Sequence, residues 1–203
     1  VPGDVMGAAA AGRRAPRSIE GTRAVVVPAT TDLLRAAAIL DGAERVTILA
    51  GAGCAGAHDE LIGIAEVLKA PIVHAMRGKE YIAYDNPYDV GMTGLLGFSS
   101  GYRAMEACDV LLVLGTDFPY PQFYPEHAEI VQVDVRGEQL GRRTPIDLGL
   151  VGDVRETLRA LTPLVNPRSD DTHLRKMVDH YARARRDLDE LASPGKEGPL
   201  HPQ

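Results

Sequence analysis

Short runs of consecutive apolar residues alternate with longer segments in which apolar residues recur every three or four positions. The short runs cover residues 46–50, 71–74, 110–114, 130–134 and 148–151. A strand that is apolar at nearly every position is buried on both faces, as in a parallel sheet covered by helices. With right-handed crossovers, the pattern predicts a three-layer, doubly wound α/β fold of the Rossmann-like type.

The longer segments predict helices. The first is expected to begin at Thr30 or Thr31, whose hydroxyls are good helix caps. Its apolar stripe consists of Leu33, Leu34, Ala37 and Leu40. Residues 59–69 and 153–164 also carry the helical period. Residues 170–192 add pairs of opposite charge four positions apart, which is typical of a long, solvated helix.

Composition along the chain predicts three parts. Residues 1–28 contain proline and glycine without apolar periodicity, which is typical of an interdomain linker. Residues 29–166 form the compact domain, and residues 167–203 comprise the last helix and a second linker. Neither Val1 nor Gln203 resembles a natural start or the end of a finished element, so we expect a piece of a longer protein.

The charge balance argues against a nucleic-acid partner. The 203 residues include 28 acidic and 22 basic ones, a formal net charge of −6, and both signs are spread along the chain. The two cysteines, Cys54 and Cys108, have no metal-ligand spacing and are expected to be reduced thiols. Without a signal peptide or a long apolar run, we expect a cytoplasmic protein.

Glycines follow two of the predicted strands. The run Gly51-Ala-Gly53-Cys-Ala-Gly56 comes directly after the first strand, and Gly115 follows the strand at 110–114. A further glycine-bearing run covers residues 93–97. Glycine at the carboxyl end of a buried strand lets a ligand approach the backbone, so the sequence predicts a site for a nucleotide-shaped ligand. The next strand lacks the terminal acid of an NAD site, which disfavours NAD.

Other polar residues near the strand ends have two interpretations each. Arg77 and Lys79 either face a phosphate or form a solvated turn. His74 either touches a ligand or is a satisfied, partly buried histidine. Asp134 either binds a ribose or adenine amine, which we favour, or caps the next segment. Asp153 poses the same choice, and there capping of the next helix is a sufficient explanation. The histidines and serines form neither H-E-x-x-H nor G-x-S-x-G, so no metalloenzyme or serine hydrolase site is predicted.

Five stretches carry a resemblance to a known family. They are AGAGCAGA (50–57), APIVHAMRGKE (70–80), YDNPYDVGMTG (84–94), GFSSG (97–101) and FPY (118–120). They resemble the central domain of thiamine-diphosphate-dependent enzymes, most closely that of pyruvate oxidases, the pyruvate:quinone dehydrogenases. The similarity covers nearly the whole chain, and its two ends resemble the exit from a pyrimidine-binding domain and the entry to a diphosphate-binding domain.

The resemblance implies a six-stranded parallel sheet with a DHS-like NAD/FAD-binding fold and an extended FAD across the strand ends. Carried over to this sequence, Gly51 and Gly53 approach the phosphate and ribose, with Met76 and Arg77 beside them. The isoalloxazine side is lined by Thr93, Gly94, Leu95 and Leu96, and the middle of the cofactor by Gly115, Thr116, Asp117, Phe118, Pro119 and Tyr120. The adenosine end is held by Asp134 and Val135, with Asp153 as a weaker match.

In the full-length enzymes of that family, thiamine diphosphate and Mg²⁺ support decarboxylation of pyruvate to acetate and CO₂, and electrons pass through FAD to a quinone. The thiamine-binding motifs belong to the flanking domains and do not occur in this sequence. The resemblance thus implies a chain that binds FAD and has no catalytic activity alone. It also implies flanking pyrimidine- and diphosphate-binding domains and a homotetramer at full length, with peripheral membrane attachment left open.

Three alternatives stay open. The first is the central domain of an acetolactate synthase, in which FAD is structural and a G-V-R-F-type stretch stands where this chain has residues 115–118. The second is a scaffold domain that has lost its ligand. The third is a sirtuin-like NAD-dependent deacylase, which the sequence disfavours because the G-I-P-x-F-R segment and zinc cysteines of those enzymes are missing.

Overall fold

Six parallel strands form one sheet in the computed structural model, which describes residues 3–8, 21–22 and 24–192. The strands are β1 (Val46–Ala50), β2 (Ile72–His74), β3 (Asp89–Met92), β4 (Val110–Leu114), β5 (Glu129–Asp134) and β6 (Leu148–Val151). Their order is β3-β2-β1-β4-β5-β6, and every neighbouring pair is parallel. The predicted doubly wound topology is confirmed.

Helices cover both faces of the sheet. They are α1 (Gly3–Met6), α2 (Thr30–Gly42), α3 (His58–Leu68), α4 (Lys79–Ile82), α5 (Ser99–Ala107), α6 (Val154–Leu161) and α7 (Thr172–Ala192). Side chains of α2, α3 and α6 pack on one face of the sheet, and those of α5 and α7 pack on the other. The molecule is therefore three-layered, as the apolar strands predict.

Alternate residues of the central strands enter different core clusters. In β1, Ile48 and Ala50 pack toward α2, α3 and α6, whereas Leu49 packs toward α5. In β4, Leu112 packs toward α2, α3 and α6, and Leu111 packs toward α5. Burying one such leucine or isoleucine side chain contributes about 1.5–3 kcal/mol, so a strand with two apolar faces is stable only between two helical layers.

The edge strand β3 has no continuous apolar run, and the apolar pattern alone does not predict it. Its pairing with β2 contains a register shift, at which Gly91 adopts a φ of 93°. A Cβ at Gly91 would lie 2.8 Å from the Tyr181 ring and 3.0 Å from the Phe98 ring. This bulge requires glycine, which interrupts the apolar pattern that normally marks a strand.

Two expectations about α2 are wrong. Ala29 occupies the N-cap position, and no side chain caps the helix, so neither Thr30 nor Thr31 has the expected role. The side chain of Leu34 is 52% exposed, and Ala36 is buried in its place. A step of one residue turns a helix by about 100°, which moves Leu34 away from the stripe that Leu33 begins.

The remaining helix predictions differ mainly at the boundaries. In α3, the predicted stripe is buried, and it consists of Leu61, Ile64, Ala65 and Leu68. The helix α6 ends at Leu161, and a 3-10 turn covers the following Thr162–Leu164. The helix α7 begins at Thr172, whose N–H donates to Asp170 Oδ1 at 2.9 Å. The short α5 was not predicted.

The helix α7 packs over α5 and β3. Its Leu174 and Met177 are buried, and Met177 belongs to the core cluster on the α5 side. His173 Nε2 lies 2.9 Å from Thr47 Oγ1, which itself donates to the Ala104 carbonyl at 2.8 Å. Because the threonine proton is used in that bond, the His173 Nε2–H must be the donor to Thr47.

Most of the two predicted linkers lies outside the described residues. In the first linker, the described residues Val25 and Val27 are exposed and lie just before α2. The second linker, from residue 193 onward, falls outside the described part of the chain.

Candidate functional site

A cleft of about 860 Å³ lies at the carboxyl ends of the strands. The chain winds outward from β1 through β2 to β3 and then returns to start the other half of the sheet at β4. Beyond a contact at their glycines, the segments that follow β1 and β4 continue on opposite faces of the sheet and leave a crevice between them. In open α/β sheets, ligands bind in the crevice at this switch point.

The floor of the cleft is formed where two glycine segments touch. The Gly53 N–H donates to the Gly115 carbonyl at 2.9 Å, and Gly115 adopts a φ of 54°. Gly51 sits just below, and a Cβ on it would lie 2.7 Å from the Gly115 carbonyl oxygen. The two backbone segments approach this closely only because side chains are absent.

The structure brings all but one of the predicted cofactor-binding residues to the cleft. Those that line it are Gly53, Met76, Arg77, Thr93, Gly94, Leu95, Leu96, Gly115, Thr116, Asp117, Phe118, Pro119, Tyr120, Asp134, Val135 and Asp153. Gly51 is not among the lining residues and instead supports the floor. The sequence prediction missed Ala52, Ala75, Met92, Arg136, Gly152 and Val154. Each of these is next in sequence to a predicted residue, and that proximity is the only feature of the sequence that could have indicated them.

An apolar loop forms one side of the cleft. The side chains of Leu95 and Leu96 are 70% and 73% exposed at its tip. The loop is closed by a hydrogen bond of 2.9 Å from the Gly97 N–H to the Gly94 carbonyl, and Gly94 has a φ of 103°. Two neighbouring leucines held open to solvent at the rim of a cleft are suited to contact an apolar ligand surface.

Thr93 is buried at the base of that loop. Its side chain is only 3% exposed, and its Oγ1 has no hydrogen-bond partner within the described residues. Leaving a buried hydroxyl unpaired costs about 1–3 kcal/mol. Because Thr93 lines the cleft, a ligand group is one partner that would remove this cost.

An aromatic cluster adjoins this loop, since a Cβ on Gly94 would lie 3.3 Å from the Phe118 ring. Phe118 packs edge-to-face against Tyr120, Phe123 and Tyr124, at ring-centroid distances of 5.3, 6.0 and 5.7 Å. The Tyr124 hydroxyl also donates to the Phe118 carbonyl at 3.2 Å. Burial raises the pKa of the Tyr124 phenol well above its usual range, so it stays a donor. These contacts fix the backbone that follows β4.

The carboxylate of Asp117 is held by two arginines from the β5–β6 connection. Arg143 Nε donates to Asp117 Oδ1 at 2.6 Å and Nη2 donates to Oδ2 at 2.9 Å, and Arg142 Nη1 approaches Oδ2 at 3.4 Å. The hydrogen bond from Arg143 lowers the pKa of Asp117 despite some desolvation. Asp117 is thus a paired carboxylate beside the cleft.

Asp134 ends β5 in a buried position. Its Oδ1 accepts the Arg136 N–H at 2.9 Å, and the Arg136 Nε lies 3.8 Å away. The 3-10 turn at Gly137–Gln139 has Arg136 at its N-cap, with no side-chain capping bond. Asp134 therefore shapes the turn after β5 and does not cap that segment.

Asp153 makes a reciprocal pair of hydrogen bonds with the chain before α2. The Val26 N–H donates to Asp153 Oδ2, and the Asp153 N–H donates to the Val26 carbonyl, both at 2.9 Å. Asp153 stands at the N-cap of α6, but its carboxylate makes no capping bond there. The capping interpretation is therefore right for the position of Asp153, but its carboxylate instead ties the chain before α2 to one end of the cleft.

His74 is a satisfied, buried histidine. Its Nδ1–H donates to Asp89 Oδ1 at 2.7 Å, and both side chains are almost fully buried. Arg77 lines the cleft, whereas Lys79 lines a shallower neighbouring surface pocket together with Arg77 and Tyr84. Arg77 therefore lies between the two surfaces, whereas Lys79 faces only the second.

Within the described residues, no group of histidine, cysteine, aspartate and glutamate side chains is arranged to hold a metal ion. None of the helices described is both long and apolar enough to cross a membrane.

Three known proteins are similar in sequence to most of this chain. An uncharacterized 42.6 kDa protein of Pseudomonas amyloderamosa is 59% identical over 85% of this chain and 44% of its own length. A Bacillus subtilis protein described as thiamine pyrophosphate-containing, YdaP, is 34% identical over 81% of this chain and 28% of its length. A probable acetolactate synthase large subunit of Methanocaldococcus jannaschii is 32% identical over 63% of this chain and 23% of its length. The chain spans less than half the length of these relatives.

A solved structure shares the fold. A thiamin diphosphate-dependent enzyme from Mycobacterium smegmatis superposes with a TM-score of 0.64 at 25% identity, over 76% of this chain and 31% of that one. The model for the thiamine pyrophosphate enzyme, central domain, matches residues 33–161. The sirtuin-like alternative is therefore set aside. The glycine-floored cleft is built on the central domain of a thiamine pyrophosphate enzyme, and the chain belongs to that family.

Proposed function

We propose that the cleft binds FAD and that residues 29–166 are the FAD-binding central domain of a pyruvate:quinone oxidoreductase. The unpaired Thr93 hydroxyl is the single observation that carries the ligand proposal, because it belongs to a buried polar side chain in the lining of the cleft. The position of the cleft at the switch point supports a dinucleotide as that occupant.

The residues present fit such a ligand. The glycine floor at Gly53 and Gly115 lets a flat or extended molecule lie against the backbone. Leu95 and Leu96 offer apolar contact to a ring system, and Arg77 and Arg136 offer positive charge to phosphates. The cleft volume of about 860 Å³ lies in the upper part of the range of about 300–1,000 Å³ that is usual for ligand pockets.

The proposal for the whole enzyme rests on the family. Thiamine diphosphate and Mg²⁺ would be held by flanking pyrimidine- and diphosphate-binding domains, to which residues 1–28 and 167–203 would connect. FAD would supply a two-electron acceptor, with a quinone as its oxidant and acetate and CO₂ as the products from pyruvate. The residues of this chain would bind and orient the flavin, and the active form would be a homotetramer.

An acetolactate synthase is the second candidate. It is favoured by the 32% identity to the Methanocaldococcus protein described as a probable acetolactate synthase large subunit. Against it, Asp117 stands where the G-V-R-F-type stretch of such enzymes would place arginine. A domain without any ligand is the third candidate. It would not explain why the buried Thr93 hydroxyl has no partner.

Two experiments test these proposals in order. Titration of the 203-residue chain with FAD, followed by flavin absorbance and fluorescence, should give saturable binding. Absence of binding and of any thermal shift at millimolar FAD would favour the ligand-free scaffold.

In the longer enzyme, pyruvate should reduce the flavin under anaerobic conditions and yield acetate. Formation of acetolactate without net flavin reduction would identify the synthase instead.

A further inference from the structure

The charges that line the cleft do not suit a phosphate-bearing ligand by themselves. The lining contains three carboxylates, those of Asp117, Asp134 and Asp153, and two guanidiniums, those of Arg77 and Arg136. Taken alone, this surface is net negative. A ligand with negative phosphates would meet repulsion unless charges behind the lining compensate for it.

For Asp117, the compensation comes from residues 142 and 143, which do not line the cleft. Arg143 forms a two-point ion pair with Asp117, and Arg142 adds a longer contact to the same carboxylate. Counting these two guanidiniums with the lining charges changes the local balance from net negative to net positive. Planar, two-point pairing also fixes the direction in which the carboxylate points.

We propose that Arg143 is a positioning residue which enables the cleft to accept a phosphate-bearing ligand, because it holds the Asp117 carboxylate in an ion pair and cancels its charge. This inference deepens the proposed function and rests on it where it names FAD as the ligand. It assigns to the β5–β6 connection a role in ligand choice, although Arg143 itself lies behind the wall of the cleft.

The position of Asp117 gives Arg143 this influence. Asp117 is two residues beyond Gly115, at the switch-point crevice where a dinucleotide pyrophosphate lies in folds of this type. The next residue, Phe118, is fixed in the aromatic cluster, so the backbone cannot easily carry the carboxylate away. Without Arg143, a carboxyl group of ordinary pKa would still be ionised at neutral pH and would repel the phosphates.

The test compares ligands that differ in phosphate content. We would measure binding of FAD and riboflavin by flavin fluorescence, and of ADP and adenosine by calorimetry, to the wild-type chain and to Arg143→Gln. The variant should bind FAD and ADP about three- to tenfold more weakly, with riboflavin and adenosine changed less than about twofold. The double variant Asp117→Asn/Arg143→Gln should recover most of the lost affinity.

Arg155→Gln is the matched control. Arg155 is also a paired arginine, with Glu60 at 3.3 Å, but it does not line the cleft and does not contact Asp117. It should leave all four affinities unchanged, which separates the local effect from the loss of one positive charge on the protein.

The outcomes separate the inference from the proposed function. Equal weakening of phosphorylated and unphosphorylated ligands would mean that Arg143 is merely structural and would overturn the inference, as would unchanged affinity for FAD. If the wild type binds ADP and adenosine but neither flavin, the FAD proposal fails, and the ADP-to-adenosine comparison still decides the role of Arg143. If none of the four ligands binds, both are overturned.

Discussion

Gly53 and Gly115 lie in direct backbone contact, so that a Cβ added to either residue would be 2.6 Å from the Cα of the other. The contact joins the segment after β1 to the segment after β4 and is closed by a hydrogen bond of 2.9 Å. The two strands are neighbours in the sheet, and their continuations are therefore held together at the floor of the cleft.

Replacement of either glycine by alanine should destabilise the domain. Gly53→Ala should lower the free energy of unfolding by about 1–3 kcal/mol, because the methyl group has no space against backbone atoms. Gly115→Ala should cost about 1–2 kcal/mol more, since its φ of 54° disfavours a side chain. Urea unfolding measures both.

The matched control is Gly63→Ala in α3, where an added Cβ meets no atom within 4 Å. Alanine is the better helix former, so this variant should be more stable by about 0.5–1 kcal/mol. A Gly53→Ala protein as stable as the wild type would show that the floor of the cleft is looser than described.

Replacement of Thr93 by valine should separate ligand binding from stability. Valine has the same shape and removes the unpaired hydroxyl, so the ligand-free domain should be unchanged or more stable by about 1 kcal/mol. Affinity for FAD should fall about three- to tenfold if the hydroxyl bonds to the ligand. Thermal unfolding and flavin titration measure the two effects.

Thr157 provides the control for Thr93. It is also buried with an unpaired Oγ1 within the described residues, but it lies in α6 and does not line the cleft. Thr157→Val should change stability in the same direction and leave FAD binding unchanged. Equal losses of FAD affinity in both variants would argue against a direct contact at Thr93.

The burial of His173 should make stability depend on pH. Burial lowers the pKa of His173 from 6.5 to about 4, so the unfolded chain binds more protons than the folded one between these values. Stability should therefore be lost as the pH falls from 6.5 to about 4. Because the ring is partly accessible, we expect a loss of about 1–2 kcal/mol rather than the full value of the shift.

Denaturant unfolding of the wild type and His173→Gln across this pH range measures the effect. Glutamine retains an N–H donor and does not titrate, so the difference between the two proteins isolates the histidine from the carboxylates. His127→Gln, at an exposed position, should follow the wild type. Parallel curves for the wild type and His173→Gln would contradict the prediction.

Both cysteines should be inert in the folded chain. Burial raises the pKa of the Cys54 and Cys108 thiols to about 12, so almost no thiolate exists near neutral pH. A disulfide reagent at about pH 8 should label neither cysteine faster than the chain unfolds, and should label both in guanidinium. Rapid labelling of one thiol in the native protein would show that its surroundings open locally.

The sequence predicts most of the sheet because burial on both faces leaves a strong signal. The run at β4 is apolar throughout, that at β1 is interrupted only by Thr47, and the structure places both at the centre of the sheet. Strand β3 gives no such signal, since Gly91 forms a bulge and Asp89 is polar. Asp89 is nevertheless buried, and its hydrogen bond with His74 satisfies the carboxylate there. A polar residue satisfied by a distant partner cannot be recognised from local pattern.

Some features of the cleft could likewise be predicted from the sequence, and others could not. Glycines after strands are visible in the sequence, and Gly53 and Gly115 do meet at the switch point. The pairing of Asp117 with Arg143 joins residues 26 positions apart, and nothing in the local pattern of either residue indicates the other. The role of Asp153 was also hidden, because its partner Val26 lies 127 residues earlier in the chain.

Helices on both faces of the sheet leave only the strand ends open for chemistry. The residues that keep the domain folded are therefore largely separate from those that meet a ligand. Substitutions in the segments after β3, β4 and β5 could alter what is bound while the buried strands stay intact. In evolutionary terms, the fold can be inherited unchanged while the bound ligand changes.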